Sequence, residues 1–271
     1  EQSIIQFNNY LSKFNNGSFI LNAHFYLAEC YYKKGISEKA LQSYEFVIDK
    51  PRNTFTEQAL LSAASINYDQ NSYDKALEHF IQLEEIAELN NHLIESRKGQ
   101  MRCYYQLKDF KNTILAADKL MHTDKVAGEL KREARYKKGK SLYETNNFDL
   151  ALDEFRIISE DVNSPEGAEA KYLISKIYFN DNQYDLAEHE IFDFASQNTS
   201  QEYWLAKAFI LLSDVYIAKD DQFQAKHTLK SIIDNYNPDA DDDIVQIAKE
   251  KYNQIIENEK LDIESDESDE I

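Results

Sequence analysis

Residues 143–158, YETNNFDLALDEFRII, contain a pattern that recurs along the chain. An aromatic residue is followed by a short polar turn, a second aromatic residue, and then Ala and Phe at helical spacing. Related segments begin at Tyr32, Tyr68, Tyr105, Phe179 and Ile217. The small residue of the second helical half lies at Ala40, Ala76, Thr113, Ala151, Ala187 and Ala225, with spacings of 36, 37, 38, 36 and 38 residues. A fixed period in this range predicts a solenoid of stacked structural repeats.

The composition favours helices and disfavours several classes of ligand. The chain has 271 residues with only 6 Gly and 3 Pro, too few for the many turns of an all-β protein. The formal net charge of −19 argues against nucleic acid, because phosphate contacts need clustered cations, and against an anionic membrane surface. The sequence has no apolar run of about 18 residues, so this segment is not expected to insert into a membrane.

Each repeat is predicted to contain a first helix, a short turn and a second helix. The predicted first helices are residues 18–33, 57–70, 91–106, 128–144, 167–180 and 202–218, and the second helices are 37–49, 73–88, 109–121, 147–159, 183–196 and 221–235. Residues 1–17 form the second helix of a truncated leading repeat, and 18–236 form six repeats. Residues 237–260 contain a capping helix, over 243–259, and the acidic residues 261–271 form a disordered tail.

The small, aromatic and Ala-x-x-x-aromatic positions resemble those of the tetratricopeptide repeat family over residues 1–236. The resemblance implies an all-α fold, a right-handed α-α superhelix whose first helices line a concave groove. Asn67 departs from the family pattern at a position where Tyr is usual, and Gln100 and Lys138 at a position where Leu is common. The period exceeds the usual value of about 34 residues. Such long periods are similar to those of bacterial cell-envelope members, which favours the periplasm or outer membrane over the cytoplasm.

The central part of the expected groove combines cations with aromatic residues. The candidate partner-binding residues are Lys98, Arg102, Tyr105, Tyr136, Lys140, Tyr143, Tyr172, Lys176 and Phe179. Aromatic faces offer contact area at low entropic cost, and cations steer acidic partners, so the predicted partner is a protein or peptide, with an acidic segment favoured. Two simpler interpretations stay open: the tyrosines pack neighbouring first helices together, and the cations balance acids on adjacent helices.

The sequence contains no recognisable catalytic or cofactor motif. We expect no enzymatic activity, no cofactor and no metal site, because nucleophile, base and metal-ligand patterns are absent. His189 and Glu190 are expected to lie on a solvated outer helix. Residues 239–243 are acidic but lack the glycine of a calcium loop, and an acidic linker explains them better. Cys30 and Cys103, two repeats apart, are expected to be unlinked core residues.

These observations together predict a non-catalytic scaffold for protein–protein interaction. Because the chain begins within a repeat, we expect it to be the C-terminal part of a longer bacterial envelope protein. The main alternative is a regulatory or targeting module whose catalytic or DNA-binding domain lies upstream of residue 1. A purely structural spacer is a third possibility.

Overall fold

The structure is a computed structural model that describes residues 1–14, 16–237 and 242–269, with 262–269 described as backbone alone. Over these residues it contains 14 α-helices and no β-strand. The helices are α1 (Gln2–Lys13), α2 (Ile20–Lys33), α3 (Ser37–Ile48), α4 (Thr56–Asp69), α5 (Tyr73–Ile86), α6 (Asn90–Gln106), α7 (Phe110–Met121), α8 (Gly128–Glu144), α9 (Phe148–Ile158), α10 (Pro165–Asn180), α11 (Tyr184–Ser196), α12 (Glu202–Ala218), α13 (Gln222–Asn235) and α14 (Ile244–Asp269). The predicted all-α repeat fold is confirmed, and the ends of α2–α13 differ from their predicted positions by at most 2 residues, whereas α1 ends at Lys13 rather than at residue 17.

The chain divides into two compact units, Glu1–Asn146 with α1–α8 and Asn147–Ile271 with α9–α14. Within each unit, two recurring positions of the first helices are buried, and every residue at them except Met101 is small. The residues of the first small position are Ala23, Ala59, Ser96, Ala134, Ala170 and Ala208, and those of the second are Ala28, Ala64, Met101, Gly139, Ser175 and Ser213. Small side chains at these positions allow the larger neighbouring side chains to interlock.

The turn inside each repeat is closed by main-chain hydrogen bonds. In the second repeat, Asn71 N–H donates to Tyr68 O at 2.9 Å and Ser72 N–H donates to Asn67 O at 2.8 Å. Asn71 has a φ of 59°, in the left-handed region that ends many helices. The same conformation recurs at Gly35, Lys108, Asn146, Asn182 and Asp220. The backbone therefore repeats with the period that the sequence shows.

Helix α14 is longer than predicted. The sequence predicts a helix over 243–259 and an irregular tail over 261–271, whereas α14 continues to Asp269. Residues 257–269 contain neither Gly nor Pro, so nothing in the sequence breaks the helix. Ile244, Ala248 and Ile255 are buried in one cluster with residues of α13, as expected of a capping helix. Residues 238–241 and 270–271, which include part of the acidic linker and the end of the tail, lie outside the described residues.

The three residues that depart from the family pattern all have polar partners in the first unit. Asn67 is buried, and its side-chain amide donates to Ala63 O at 2.9 Å. Gln100 donates to Glu84 Oε2 at 2.7 Å, and Lys138 Nζ lies 2.7 Å from Asp118 Oδ1. These contacts compensate the polar groups, so the helices that carry them pack despite the unusual residues.

Cys30 and Cys103 are both free thiols, as predicted. Cys103 is fully buried, and burial raises the pKa of its thiol to about 12, so it stays protonated. Cys30 is partly buried. None of the described helices is long and apolar enough to cross a membrane.

Candidate partner-binding groove

The predicted groove residues lie on first helices of both units. In the first unit they are Lys98, Arg102 and Tyr105 on α6 and Tyr136, Lys140 and Tyr143 on α8; in the second they are Tyr172, Lys176 and Phe179 on α10. All nine side chains are partly buried. The structure therefore brings together six residues within one unit and three within the other.

The two groove cations of α6 are held by carboxylates. Arg102 forms a bidentate pair with Glu133 of α8, with Nε and Nη2 donating at 2.7 and 2.6 Å. Burial alone would raise the pKa of Glu133, but Arg102 and the nearby lysines hold it below its ordinary value. Lys98 pairs with Glu95 of its own helix. At these positions the cations balance acids on the same or the adjacent first helix.

The aromatic residue that precedes each turn contacts the aromatic residue that follows it. Ring centroids are 5.2 Å apart for Tyr68 and Tyr73, and 6.5 Å apart for Tyr105 and Phe110. Phe179 and Tyr184 make the corresponding contact at 5.7 Å. These aromatic residues thus join the two helices of one repeat. They also leave part of each ring exposed, which a partner can contact.

The second unit presents its groove cations differently. Lys176 Nζ lies 5.9 Å from the centroid of the Tyr172 ring, and Lys207 Nζ of α12 lies 5.5 Å from the same ring. Lys207 is also 5.2 Å from the ring centroids of Tyr203 and Trp204. Neither lysine makes an ion pair with any residue that the structure describes. Two cations and a group of aromatic faces therefore lie together with no carboxylate within ion-pair distance among the described residues.

Sequence reasoning missed Lys207 and Trp204, although the repeat positions contain a signal. Arg102 is neutralised by Glu133, the residue just before the small position of the next first helix. Lys176 occupies the position of Arg102 in its own repeat, and the residue that corresponds to Glu133 is Lys207. The acid that neutralises Arg102 in the first unit is thus replaced by a second base, Lys207.

A small pocket of about 270 Å³ adjoins these lysines in the second unit. Lys176, Lys207 and Tyr172 line one part of it, and Ile210, Ile247, Phe179 and other apolar residues line the rest. Asp214 also lines it, but its Oδ1 lies 2.6 Å from Lys251 Nζ, which neutralises it. The pocket can accept an apolar side chain next to an anionic group.

Two sequence models of the family described as tetratricopeptide repeat match the chain, one over residues 136–201 and one over 22–51. These two segments carry tetratricopeptide repeats. A comparison with curated protein sequences gave no match.

Several solved structures share the fold. A tetratricopeptide repeat protein from Parabacteroides merdae is 16% identical, with a TM-score of 0.57 over 99% of this chain and 93% of that one. The C-terminal part of a TPR repeat-containing protein from Cytophaga hutchinsonii is 16% identical, with a TM-score of 0.62 over 90% and 92%. The apo form of the quorum sensor NprR from B. thuringiensis is 12% identical, with a TM-score of 0.56 over 91% and 79%.

Tetratricopeptide repeats generally form non-catalytic scaffolds for protein interaction, and this chain has the fold of one. Among the described residues, no three His, Cys, Asp or Glu side chains form a group that could hold a metal ion. His189 is exposed on α11, and Glu190 is occupied by Lys171, with Nζ and Oε2 2.6 Å apart.

Proposed function

We propose that this protein is an interaction scaffold that binds an acidic segment of a partner protein at the Tyr172–Lys176–Lys207 site of its second unit. The observation that carries the proposal is the pair of lysines over one tyrosine ring with no carboxylate counter-ion among the described residues. Elsewhere in the repeats, groove cations such as Arg102 already have acidic partners. The candidate residues Lys98, Arg102, Tyr105, Tyr136, Lys140 and Tyr143 belong to the first unit and are not part of this proposed site.

The adjoining pocket supports a segment of mixed character. Carboxylates of the partner would lie against Lys176 and Lys207, and an apolar side chain would enter between Phe179 and Ile247. A charged hydrogen bond in a partly desolvated site is stronger than one in open solvent. An aliphatic or aromatic residue next to a run of Asp and Glu is therefore the expected recognition sequence.

The single tryptophan provides the test. Trp204 is the only Trp of the chain and lies beside Lys207. We would titrate the full chain with a synthetic amidated peptide, IESDESDE, and follow Trp204 fluorescence. The expected result is a saturable change in emission, and a Kd weakened about tenfold or more when Lys176 and Lys207 are both replaced by Glu.

A charge-matched control separates local from overall electrostatics. Lys111→Glu with Lys249→Glu changes the net charge equally at two exposed positions outside the site. This variant should bind the peptide like the parent protein. Equal binding by the Lys176→Glu, Lys207→Glu variant, with its helix content unchanged by circular dichroism, would contradict the proposal.

We further propose a longer bacterial parent protein that acts in the cell envelope. The long repeat period and the Asn, Asp, Ile, Lys and Tyr bias of the composition support it. The gene sequence upstream of Glu1 provides the test. A lipoprotein signal there would agree with an envelope scaffold, whereas a kinase or helix-turn-helix segment would favour the regulatory alternative.

A further inference from the structure

A second cleft lies on the other side of α12 from the Tyr172–Lys176–Lys207 site. It has a volume of about 670 Å³, within the usual range for ligand-binding clefts. Helix α12 forms its floor, and α11 and α13 form its walls. The large lining residues of apolar or aromatic character are Phe192, Leu205, Phe209, Leu212, Tyr216 and Ile232. Phe192 is a large apolar residue left 48% exposed.

The corresponding seam of the first unit, between α5, α6 and α7, is filled by a polar network. Glu84 of α5 is its centre, with Arg97 Nε donating to Oε1 at 2.8 Å and Gln100 Nε2 to Oε2 at 2.7 Å. Lys119 Nζ lies 3.7 Å from Glu84, and Arg97 also donates to Thr123 Oγ1 at 2.8 Å. These long side chains occupy the space between the second helices.

The cleft exists because four of the same five repeat positions carry shorter or apolar residues in the second unit. Counted from the small residues of each helix, Glu84, Arg97, Gln100, Lys119 and Thr123 correspond to Ala195, Phe209, Leu212, Ser231 and Asn235. All five of the latter line the cleft. The charged and polar side chains that fill the seam of the first unit are thus replaced in the second unit by apolar residues of α12 and an open cleft.

Hydrogen bonds to the loop before α10 fix the position of the loop before α12. Thr199 Oγ1 donates to Val162 O at 2.6 Å, and Gln201 Nε2 donates to Asn163 O at 2.9 Å, so the loop is bonded to the one before α10. Ser200 N–H adds a bond to Asn163 Oδ1 at 3.1 Å. These bonds restrain the start of α12 and hold the cleft open at that end.

The charge at the mouth of the cleft is negative. Glu202 is exposed at the start of α12, lines the cleft, and makes no ion pair with the described residues. Tyr236 lines the same cleft, and its hydroxyl donates to Asp242 Oδ2 at 2.7 Å, which adds a second carboxylate nearby. No Lys or Arg is among the lining residues that the structure describes. A cation of a partner therefore fits this mouth better than an anion.

We propose that the cleft binds a basic amphipathic helix of a partner protein, with bulky apolar side chains on the floor formed by α12 and a Lys or Arg beside Glu202. Two helices of 13 and 14 residues bound the cleft, so its long axis suits a helix with apolar residues at positions i and i+4. The charge preference of the cleft is opposite to that of the Tyr172–Lys176–Lys207 site. Helix α12 would therefore offer one surface to an acidic partner and another surface to a basic partner.

The test uses the full chain and a defined probe. The probe is a short amidated, fluorescein-labelled helical peptide with Leu and Phe at i and i+4 and Arg at one end. One twin peptide carries Ala for Leu and Phe, and another carries Glu for Arg. We expect saturable binding of the probe by fluorescence anisotropy, and a Kd weakened about tenfold or more for the Ala twin, because buried anchors dominate such interfaces.

Two protein variants locate the peptide. Ser231→Trp fills the cleft from α13 and should weaken binding about tenfold or more, while Ser12→Trp on exposed α1 should not. Glu202→Gln should weaken binding of the Arg peptide about threefold or more, and Glu257→Gln should not. The Lys176→Glu, Lys207→Glu variant should bind the probe like the parent protein. A failure of the cleft proposal can therefore be distinguished from a failure of the proposed acidic-segment site.

Three results would overturn the assignment. Equal affinity for the probe and its Ala twin would show that no apolar anchor enters a cleft. Undiminished binding by a folded Ser231→Trp protein would place the peptide elsewhere; if that variant does not fold, undiminished binding by Phe192→Ala would place it elsewhere in the same way. Equal binding of the Arg and Glu peptides would show that the partner is not selected for positive charge.

Discussion

The seam between α5, α6 and α7 and the seam between α11, α12 and α13 share one backbone plan but differ in their filling. In the first, Arg97, Gln100 and Lys119 converge on Glu84. In the second, the corresponding residues leave a cleft of about 670 Å³. The small residues that set helix approach are buried in both, as Ser96 and Ala208 show. A helical repeat can therefore gain or lose a binding surface through a few side chains without a change of fold.

Removing the centre of the closed seam should have the largest effect. Glu84→Ala leaves the guanidinium of Arg97 and the amide of Gln100 without their acceptor in a mostly buried place. We expect a loss of about 2–3 kcal/mol in the free energy of unfolding, measured by urea denaturation. Glu85→Ala, at an exposed neighbour, is the control and should change stability little. Equal losses in the two variants would show that the network does not stabilise the seam.

Overfilling the closed seam should cost somewhat less. A Cβ at Gly99 would lie 2.4 Å from the ring of Phe80, so Gly99→Ala forces that ring to move. We expect a loss of about 1–2 kcal/mol by thermal or urea unfolding. Gly128→Ala is the matched control, because a Cβ there meets no atom within 4 Å. An unchanged midpoint for Gly99→Ala would mean that this seam is looser than the geometry indicates.

Acid should weaken the closed seam through Glu84. Burial alone would raise the pKa of Glu84, but bonds from Gln100 and Arg97 and the charge of Lys119 hold it below its ordinary value of 4.5. A lowered folded-state pKa adds stability that is present above the unfolded value and is lost as the pH falls below it. The difference in stability between the parent protein and Glu84→Gln should therefore shrink below pH 4.5, in urea unfolding at several pH values. A constant difference across that range would contradict the lowered pKa.

The smallest effect is expected at the edge of the open cleft. Phe192 is 48% exposed, so Phe192→Ala removes a side chain that contributes little to the core. The free energy of unfolding should change by less than about 0.5 kcal/mol. Thermal unfolding of this variant beside Gly99→Ala gives the comparison. A loss as large as that of Gly99→Ala would mean that the cleft is closed in solution by its own side chains.

The fold could be predicted because its determinants are local and repeat in phase. The small positions, the turn residues and the aromatic pairs all fall within one period, so residues such as Asn71 and Ala187 mark their elements directly. An irregular tail over 261–271 was predicted from its charge density, whereas α14 continues to Asp269 through residues that include no Gly or Pro. Acidic composition favours disorder in this segment and the absence of helix-breaking residues favours a helix, and the sequence alone does not show which effect is stronger.

The site was harder to predict because it depends on contacts between repeats. Lys98 and Arg102 are cations of the expected groove, but their charges are taken by Glu95 and Glu133. Lys207 was missed because its importance becomes clear only when it is compared with Glu133, the residue at the same repeat position in the first unit. The cleft beside Phe209 depends on the distance between the second helices α11 and α13, and the sequence of one helix does not determine that distance.

The turns that close each repeat also bear on how such a chain changes over generations. Because main-chain hydrogen bonds hold these corners, Gly35, Asn71, Lys108 and Asp220 adopt one conformation with four different side chains. Because four residue types form the same corner, a substitution among them can leave the helices in register. The architecture can thus outlast the recognisable sequence of its repeats, and relatives with the same shape need share few residues.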